Sequence, residues 1–341
     1  MKKILIIGAG AMGSAFSAPC LDNNNEVILS GTFLEKNLIK KLQNKKVHPS
    51  LNTKLSKKLK IIQFDQLSKV LKKKLDFIVI AVSSKGINWT CEQLIKSYSK
   101  NIPIIVLTKG LVIHKNKIIT LSKKINLIFK NHKLPLQDIS SIKGPCLASG
   151  LINKVNTSTV IANKNLKTAK NISKMISTPY YKTEVSSDIN GVETAGAIKN
   201  IYSMVIGASE GLSGDKLNPN IRKKFYHNTA SSLFKNSIKE LGSFLEFMNG
   251  KYSTAYGLAG LGDLYVSVAG GRNSQLGFYL GKGKLYKNII KNEMKGITVE
   301  GADLSLEIGK FIMKSNKKNK FPILLSLINS ICKNRKLKIN W

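Results

Sequence analysis

The start of the chain constrains its fold most. Ile4-Leu5-Ile6-Ile7 reads as a buried strand, and Gly8-Ala9-Gly10-Ala11-Met12-Gly13 follows at once, opening a helical stretch. G-x-G-x-x-G between a strand and a helix has a mechanical meaning. Gly8 permits a tight turn, Gly10 lets the backbone approach a pyrophosphate, and Gly13 lets the helix pack on the strand. The helix start then offers N–H groups and a partial positive charge to phosphate oxygens. Lys2-Lys3, the apolar run and the small residues up to Ala18-Pro19-Cys20 imitate a secretory leader, but the glycine spacing decides for a dinucleotide-binding unit. Pro19 falls within the helix, so an early end or a kink is expected there.

The second strand, 26–30, should end beside the adenosine ribose, where an acid suits NAD and a basic residue suits NADP. Gly31-Thr32 stand there, with Lys36 close behind. Neither is selected, and the cofactor is read as NAD or NADP. Strand and helix patterns then alternate to about residue 185. Strands are expected at 61–64, 77–82, 103–107, 139–143 and 158–162, and helices at 89–99, 117–130 and 166–176. Beyond 188 the strand patterns cease, and helices are expected at 188–210, 223–248, 274–280, 301–314 and 322–333. The fold class is therefore α/β. An N-terminal Rossmann-like doubly wound sheet spans 1–187, and an all-helical substrate and catalytic domain spans 188–341. The cleft between them is the expected active site.

Charge narrows the partners less than it first suggests. Lys+Arg number 55 against 19 Asp+Glu, a formal charge of +36. A polyanion binder would concentrate such charge. Here short lysine groups, Lys57-Lys58, Lys72-Lys73-Lys74, Lys123-Lys124 and Lys317-Lys318, are scattered along the whole chain, and aromatic residues make up only 7%. This distribution reads as compositional bias coating an ordinary fold, with no specific nucleic-acid partner. Arginine occurs only as Arg222, Arg272 and Arg335. Cys20, Cys91, Cys146 and Cys332, like the histidines, have no metal-like or redox-pair spacing, which fits a reducing cytoplasm and no metal. With 43% hydrophobic residues the chain can bury a core, and no run is long enough to span a membrane.

Three features carry chemistry. On a helix over 188–210, Lys199, Glu210, Ser203, Gly196, Gly207, Asn200 and Glu193 share an arc of roughly 120°. A solvated face is the plain reading, but two glycines in a helix interior cost about 1 kcal/mol each. Close approach of something to that face would compensate. Lys199 is then placed as a general acid–base residue, its pKa lowered by partial burial or a neighbouring cation. The second feature is Gly257-Leu258-Ala259-Gly260-Leu261-Gly262-Asp263, followed by Gly270-Gly271-Arg272-Asn273. Asp263 could cap a helix beginning at Leu264. The glycine pair before a helix start at Asn273 or Ser274 makes an anion site, and the Arg272 guanidinium matches phosphate bidentately. Third, Lys109-Gly110 and Gly144-Pro145-Cys146 each follow a strand, at the edge where such sheets bind ligands.

In this combination the chain resembles the NAD(P)-dependent glycerol-3-phosphate dehydrogenases. The motifs run in order from Gly8 through Lys109-Gly110, Gly144-Pro145, Val192-Glu193, Gly196, Lys199-Asn200, Gly260 to Leu264 and Gly271-Arg272-Asn273 to Val299-Glu300-Gly301. The resemblance implies a 6-phosphogluconate-dehydrogenase-like helical domain, a cytoplasmic homodimer and a place in glycerophospholipid metabolism. The implied reaction is reversible hydride transfer between NAD(P)H and dihydroxyacetone phosphate, giving sn-glycerol 3-phosphate. By the same resemblance Lys199 is the proton donor or acceptor, oriented by Asp263 and Asn200, with Lys109 near substrate and nicotinamide. Gly144, Cys146, Gly271, Arg272 and Asn273 contact the small phosphorylated substrate. Gly8, Gly10, Ala11, Met12, Gly13, Thr32, Ala148, Thr298 and Glu300 line the cofactor, together with Lys109 and Arg272.

The chain departs from the family pattern at several positions. Ser83 replaces a common proline, Gly150 a common glutamate, Cys146 a Ser or Thr, Asn236 an Arg, and Ser267 a Thr. Two alternatives compete with this reading. One is a two-domain dehydrogenase of another phosphorylated or anionic hydroxy compound. The other is a polyanion-binding or cofactor-sensing protein that has lost catalysis.

Overall fold

The computed structural model describes residues 1–97, 101–213 and 219–339, with residues 219–225 described by their backbone alone. Two compact units emerge, Met1–Lys109 with Leu121–Ile189, and Gly110–Thr120 with Asn190–Trp341.

The first unit is built on one sheet. Its strands are β1 (Lys3–Ile7), β2 (Glu26–Ser30), β3 (Lys60–Ile62), β4 (Phe77–Ile80), β5 (Ile104–Val106), β6 (Ile139–Lys143), β7 (Thr157–Ala162) and β8 (Tyr181–Ser186). They lie in the order β8-β7-β6-β5-β4-β1-β2-β3. Only the β6–β7 pair is antiparallel. The six-strand run 3-2-1-4-5-6 is the doubly wound dinucleotide-binding order, reversing direction between β1 and β4. Uninterrupted apolar strands such as Ile4 to Ile7, wholly buried, suit a parallel sheet covered on both faces. The helices here are α1 (Ala11–Asp22), α2 (Lys36–Lys45), α3 (Ile87–Lys96), α4 (Leu121–Asn131) and α5 (Leu166–Ile176). Helix α1 continues through Pro19 and ends at Asp22, within one turn of it. The helix expected over 89–99 is α3, and Tyr98 and Ser99 lie outside the described residues.

One expected element is wrong. Residues 117–130 do not form a single helix, because Lys117–Thr120 is a strand paired antiparallel with Leu111–His114. Ile118, Ile119 and Thr120 are β-branched, and Lys115 and Asn116 both turn at positive φ, 44° and 55°. That is the geometry of a tight two-residue hairpin, and the helix starts only at Leu121.

The second unit takes in that hairpin and the helices α6 (Ile189–Leu212), α7 (Pro219–Phe247), α8 (Asp263–Val268), α9 (Arg272–Gly281), α10 (Glu300–Lys314) and α11 (Pro322–Cys332). The hairpin packs on α10. Helix α6 is buried on all sides, so its polar arc is not a solvated face: Glu193, Lys199, Asn200 and Ser203 are all buried. What approaches Gly207 of that arc is another helix. Cβ atoms on Gly207 and Gly211 of α6 would overlap backbone oxygens of Ser274 and Phe278, and on Gly277 and Gly281 of α9 those of Met204 and Ala208. Two glycine pairs, each spaced by four, let the backbones touch. Among the described residues no helix is long and apolar enough to cross a membrane.

A buried carboxylate links three helices of this unit. Glu240 of α7 accepts the Ile323 and Leu324 N–H groups at the start of α11, at 2.9 and 2.8 Å, and the Tyr202 hydroxyl of α6 at 3.1 Å. Burial pushes its carboxyl up to about 7, against the hydrogen bonds, which pull the other way. The native state therefore holds a proton that the unfolded chain releases near pH 4. This contribution to stability is complete below that pH and is lost as pH rises toward 7, a change of about 3 kcal/mol at most. Glu240→Gln should flatten that part of the Tm–pH profile. Parallel profiles for the two proteins between pH 5 and 8 would contradict the linkage.

Candidate active site

In the first unit the fingerprint lies at level strand ends, since Ile7 pairs with both Ser30 of β2 and Ile80 of β4. Gly8 sits at φ 110°, and a Cβ there would stand 2.8 Å from the Ala81 backbone. Only glycine makes that turn. Helix α1 begins after Gly10 with no side-chain cap, and Ala11 and Met12 form its first turn. The loop is held from both sides of Ala9. Its carbonyl accepts from His48 Nε2 (3.1 Å) and Ser14 Oγ (2.9 Å), and its N–H donates to Glu35 Oε2 (3.2 Å). Thr32 also donates its N–H to Glu35 Oε2, at 2.8 Å. An uncapped helix start behind a turn that tolerates no side chain fits a dinucleotide pyrophosphate.

Lys109 follows β5, while Gly144, Cys146 and Ala148 follow β6, with Ala148 opening the short helix Ala148–Ile152. The ends of β5 and β6 are tied by Lys143. It is buried, and its ammonium donates to Val106 O (3.0 Å), Leu107 O (3.4 Å), Ile142 O (3.2 Å) and Ser141 Oγ (2.8 Å). Sequence reasoning passed over Lys143 as the end of a strand. Cys146 is half-buried and outside any disulfide.

In the second unit, α6 presents two consecutive polar side chains to different neighbours. Lys199 Nζ lies 2.7 Å from Asp263 Oδ1 and 3.4 Å from Asp263 O, and donates to Ser267 Oγ. Both side chains of the ion pair are about 4% exposed. The sequence reading allowed Lys199 a neighbouring cation, but its partner here is a carboxylate, which compensates the buried ammonium. Nor does Asp263 cap a helix from outside. It is the first residue of α8, preceded by Gly262 as N-cap, and its side chain is spent on Lys199. Ser267 stands four residues on, on the same face, and accepting from Lys199 is a role the sequence reading did not give it; the i, i+4 spacing from Asp263 was the available signal.

Asn200 points elsewhere. Its Nδ2 donates to Glu300 Oε2 at 3.0 Å, and its Oδ1 accepts from Asn273 Nδ2 at 3.1 Å. Asn273 Oδ1 in turn accepts the Gly301 N–H at 2.9 Å. This chain of amides joins α6, α9 and the start of α10. Helix α9 begins at Arg272, one or two residues earlier than expected, with Gly271 as an N-cap that supplies no side chain. Arg272 is exposed at that helix start, and Thr298 is exposed just before Glu300. Two bonded sets thus meet on consecutive residues of α6, Lys199 with Asp263 and Asn200 with Asn273 and Glu300, with Arg272 next to Asn273 along the chain. The arrangement can hold a proton at a buried amine and an anion at a helix start.

Comparison with known proteins agrees across both units. Residues 3–169 match the NAD-dependent glycerol-3-phosphate dehydrogenase N-terminus, and residues 188–339 match the C-terminus of the same family. An NADP(+)-dependent glycerol-3-phosphate dehydrogenase of Archaeoglobus fulgidus is 31% identical over 300 residues, covering 87% of this chain and 86% of its own. A glycerol-3-phosphate dehydrogenase [NAD(P)+] of Clostridium botulinum is 28% identical, covering 88% and 84%. Among solved structures, glycerol-3-phosphate dehydrogenase from Coxiella burnetii has a TM-score of 0.80 at 23% identity, covering 98% of this chain and 96% of its own, which is a likeness of fold. The chain belongs to the NAD-dependent glycerol-3-phosphate dehydrogenase family.

Proposed function

We propose that this chain interconverts dihydroxyacetone phosphate and sn-glycerol 3-phosphate with NAD(H) or NADP(H). The Lys199–Asp263 pair carries the reading, because it places a protonatable amine, buried and held by a carboxylate, on a helix whose next residue is tied to the Arg272-Asn273 helix start. When bound, the nicotinamide supplies or accepts the hydride. Reduction of the ketone leaves charge on its oxygen, and Lys199 Nζ gives that oxygen a proton or takes it back in the reverse direction. Asp263 and Ser267 fix the amine. Asn200, held by Asn273 and Glu300, orients the substrate beside it. Arg272 and the uncapped start of α9, with Gly271 and Asn273, bind the phosphate. Lys109, Gly144 and Cys146 serve the substrate as well, Lys109 also the nicotinamide. Gly8, Gly10, Ala11, Met12, Gly13, Thr32, Ala148, Thr298 and Glu300 serve the cofactor, with Arg272.

On this reading residues 1–187 bind the dinucleotide and 188–341 hold the substrate. The setting is the cytoplasm, which four cysteines outside any disulfide suit, and the assembly is a homodimer. Relatives named for NADP(+) and for NAD(P)+ leave the choice of cofactor open.

The test is oxidation of NADH and NADPH with dihydroxyacetone phosphate. If neither is oxidised while another ketone supports turnover, the substrate assignment falls. In the same assay Arg272→Lys should raise KM for dihydroxyacetone phosphate about tenfold, since a point charge replaces a planar fork. An unaltered KM would move the phosphate elsewhere.

A further inference from the structure

Glu35 lies outside every motif used so far, yet its carboxylate bridges the two loops that a dinucleotide must cross. One loop follows β1 and supplies the Ala9 N–H; the other follows β2 and supplies the Thr32 N–H. Both donate to Glu35 Oε2, at 3.2 and 2.8 Å. The other oxygen, Oε1, stands 3.9 Å from where a Cβ on Gly10 would be. Gly10 is the fingerprint glycine whose bare backbone admits the pyrophosphate, and the adenosine ribose of a doubly wound sheet lies at the end of β2. Glu35 is half-buried, so Oε1 is held by the two backbone bonds and still reachable.

We infer that Glu35 reads the ribose 2′-hydroxyl and makes this chain select NAD(H) over NADP(H). The inference rests on the dinucleotide-dependent reading above. An ionised carboxylate accepts hydrogen bonds from ribose hydroxyls. A 2′-phosphate in the same place would bring about two further negative charges against it. Recognition of that phosphate calls for a guanidinium or a well-placed ammonium. Arginine, the usual partner of a 2′-phosphate, is absent from the first unit, and Arg272 of the second is assigned to the start of α9. Lys46, which follows α2, gives its ammonium to the Leu59 carbonyl at 2.8 Å. Lys36 and Lys40 are exposed on α2. Scattered lysine raises the general attraction for both dinucleotides, and the fixed carboxylate sets the difference between them.

The test is direct binding, read by fluorescence titration of the full chain with NADH and NADPH and by competition with ADP-ribose and 2′-phospho-ADP-ribose. The wild-type protein should bind NADPH at least about tenfold more weakly than NADH, with the same order for the two fragments. Glu35→Gln keeps an oxygen for both N–H groups and removes the charge, so the ratio should fall to about threefold or less. Glu35→Ser removes the carboxylate altogether and should do the same, and Tm reports whether each variant folds. Equal or tighter binding of NADPH by the wild type would overturn the inference. So would an unchanged ratio in a folded variant. Turnover with dihydroxyacetone phosphate is measured in parallel: the expected binding ratio without turnover would remove the activity assignment and leave the role of Glu35 standing.

Discussion

Lys199→Ala should lower kcat for dihydroxyacetone phosphate reduction by about 10²–10⁴-fold, the range for loss of a general acid. Dinucleotide binding should be retained, because the fingerprint residues Gly8, Gly10 and Gly13 form within the other unit. The single variant has a structural complication. It leaves Asp263 buried, with its counter-ion gone, and breaking a buried pair in that way costs about 3–5 kcal/mol. The double variant Lys199→Met/Asp263→Asn removes both charges and should recover much of that stability while remaining inactive. NADH oxidation at saturating substrate gives kcat, and thermal unfolding gives the stability. Wild-type turnover in either variant would take the proton-transfer role from Lys199. A stable single variant would show that Asp263 is compensated by other groups.

Gly277→Ala should destabilise the protein by about 3 kcal/mol or more, although it adds one methyl group. On α9 that methyl would overlap the Met204 carbonyl oxygen of α6. The obstacle is backbone, so no side-chain rotation relieves it. The helices must separate, and the matching contacts at Gly207, Gly211 and Gly281 separate with them. Because Arg272 and Asn273 open α9, the same shift moves the proposed phosphate site and should raise KM. Gly257→Ala is the control. Gly257 has an ordinary φ of −85°, and its added Cβ would lie 3.5 Å from the Thr254 carbonyl oxygen. It should change stability by less than about 1 kcal/mol. Equal thermal shifts in the two variants would show that the glycine contacts between α6 and α9 are dispensable.

Much of the first unit was legible because its signals are local. A strand of four apolar residues running into three spaced glycines admits few folds, and the alternation that followed predicted the doubly wound sheet. The arc on α6 put Lys199 and Asn200 on one polar face, and its glycines pointed to a close neighbour there, but periodicity reports that polar residues share a face and not what lies opposite. The partner turned out to be a glycine-spaced helix some seventy residues later in the chain. Glu35 escaped for a different reason. The place examined for a ribose-binding acid was the end of β2, and the carboxylate reaches that place from three residues past Thr32. The Thr32-x-x-Glu35 spacing of a capping box was its visible trace. The hairpin over Leu111–Thr120 was missed because Lys115-Asn116 carries no glycine, and the sequence that follows also suits a helix.

That hairpin has a consequence for the order in which the molecule can be completed. It leaves the ribosome with the first half of the sheet, but the helix it packs against, α10, begins at Glu300. At about 5–20 residues per second, some 180 residues of synthesis hold the hairpin without its partner for about 10–40 s. Throughout that wait Leu111 and Ile118, buried in the finished protein, lack the helix their hairpin packs on. No single cut yields two intact pieces either. Residues 1–187 expressed alone would carry a β-ribbon belonging to the missing half, and residues 188–341 would lack it.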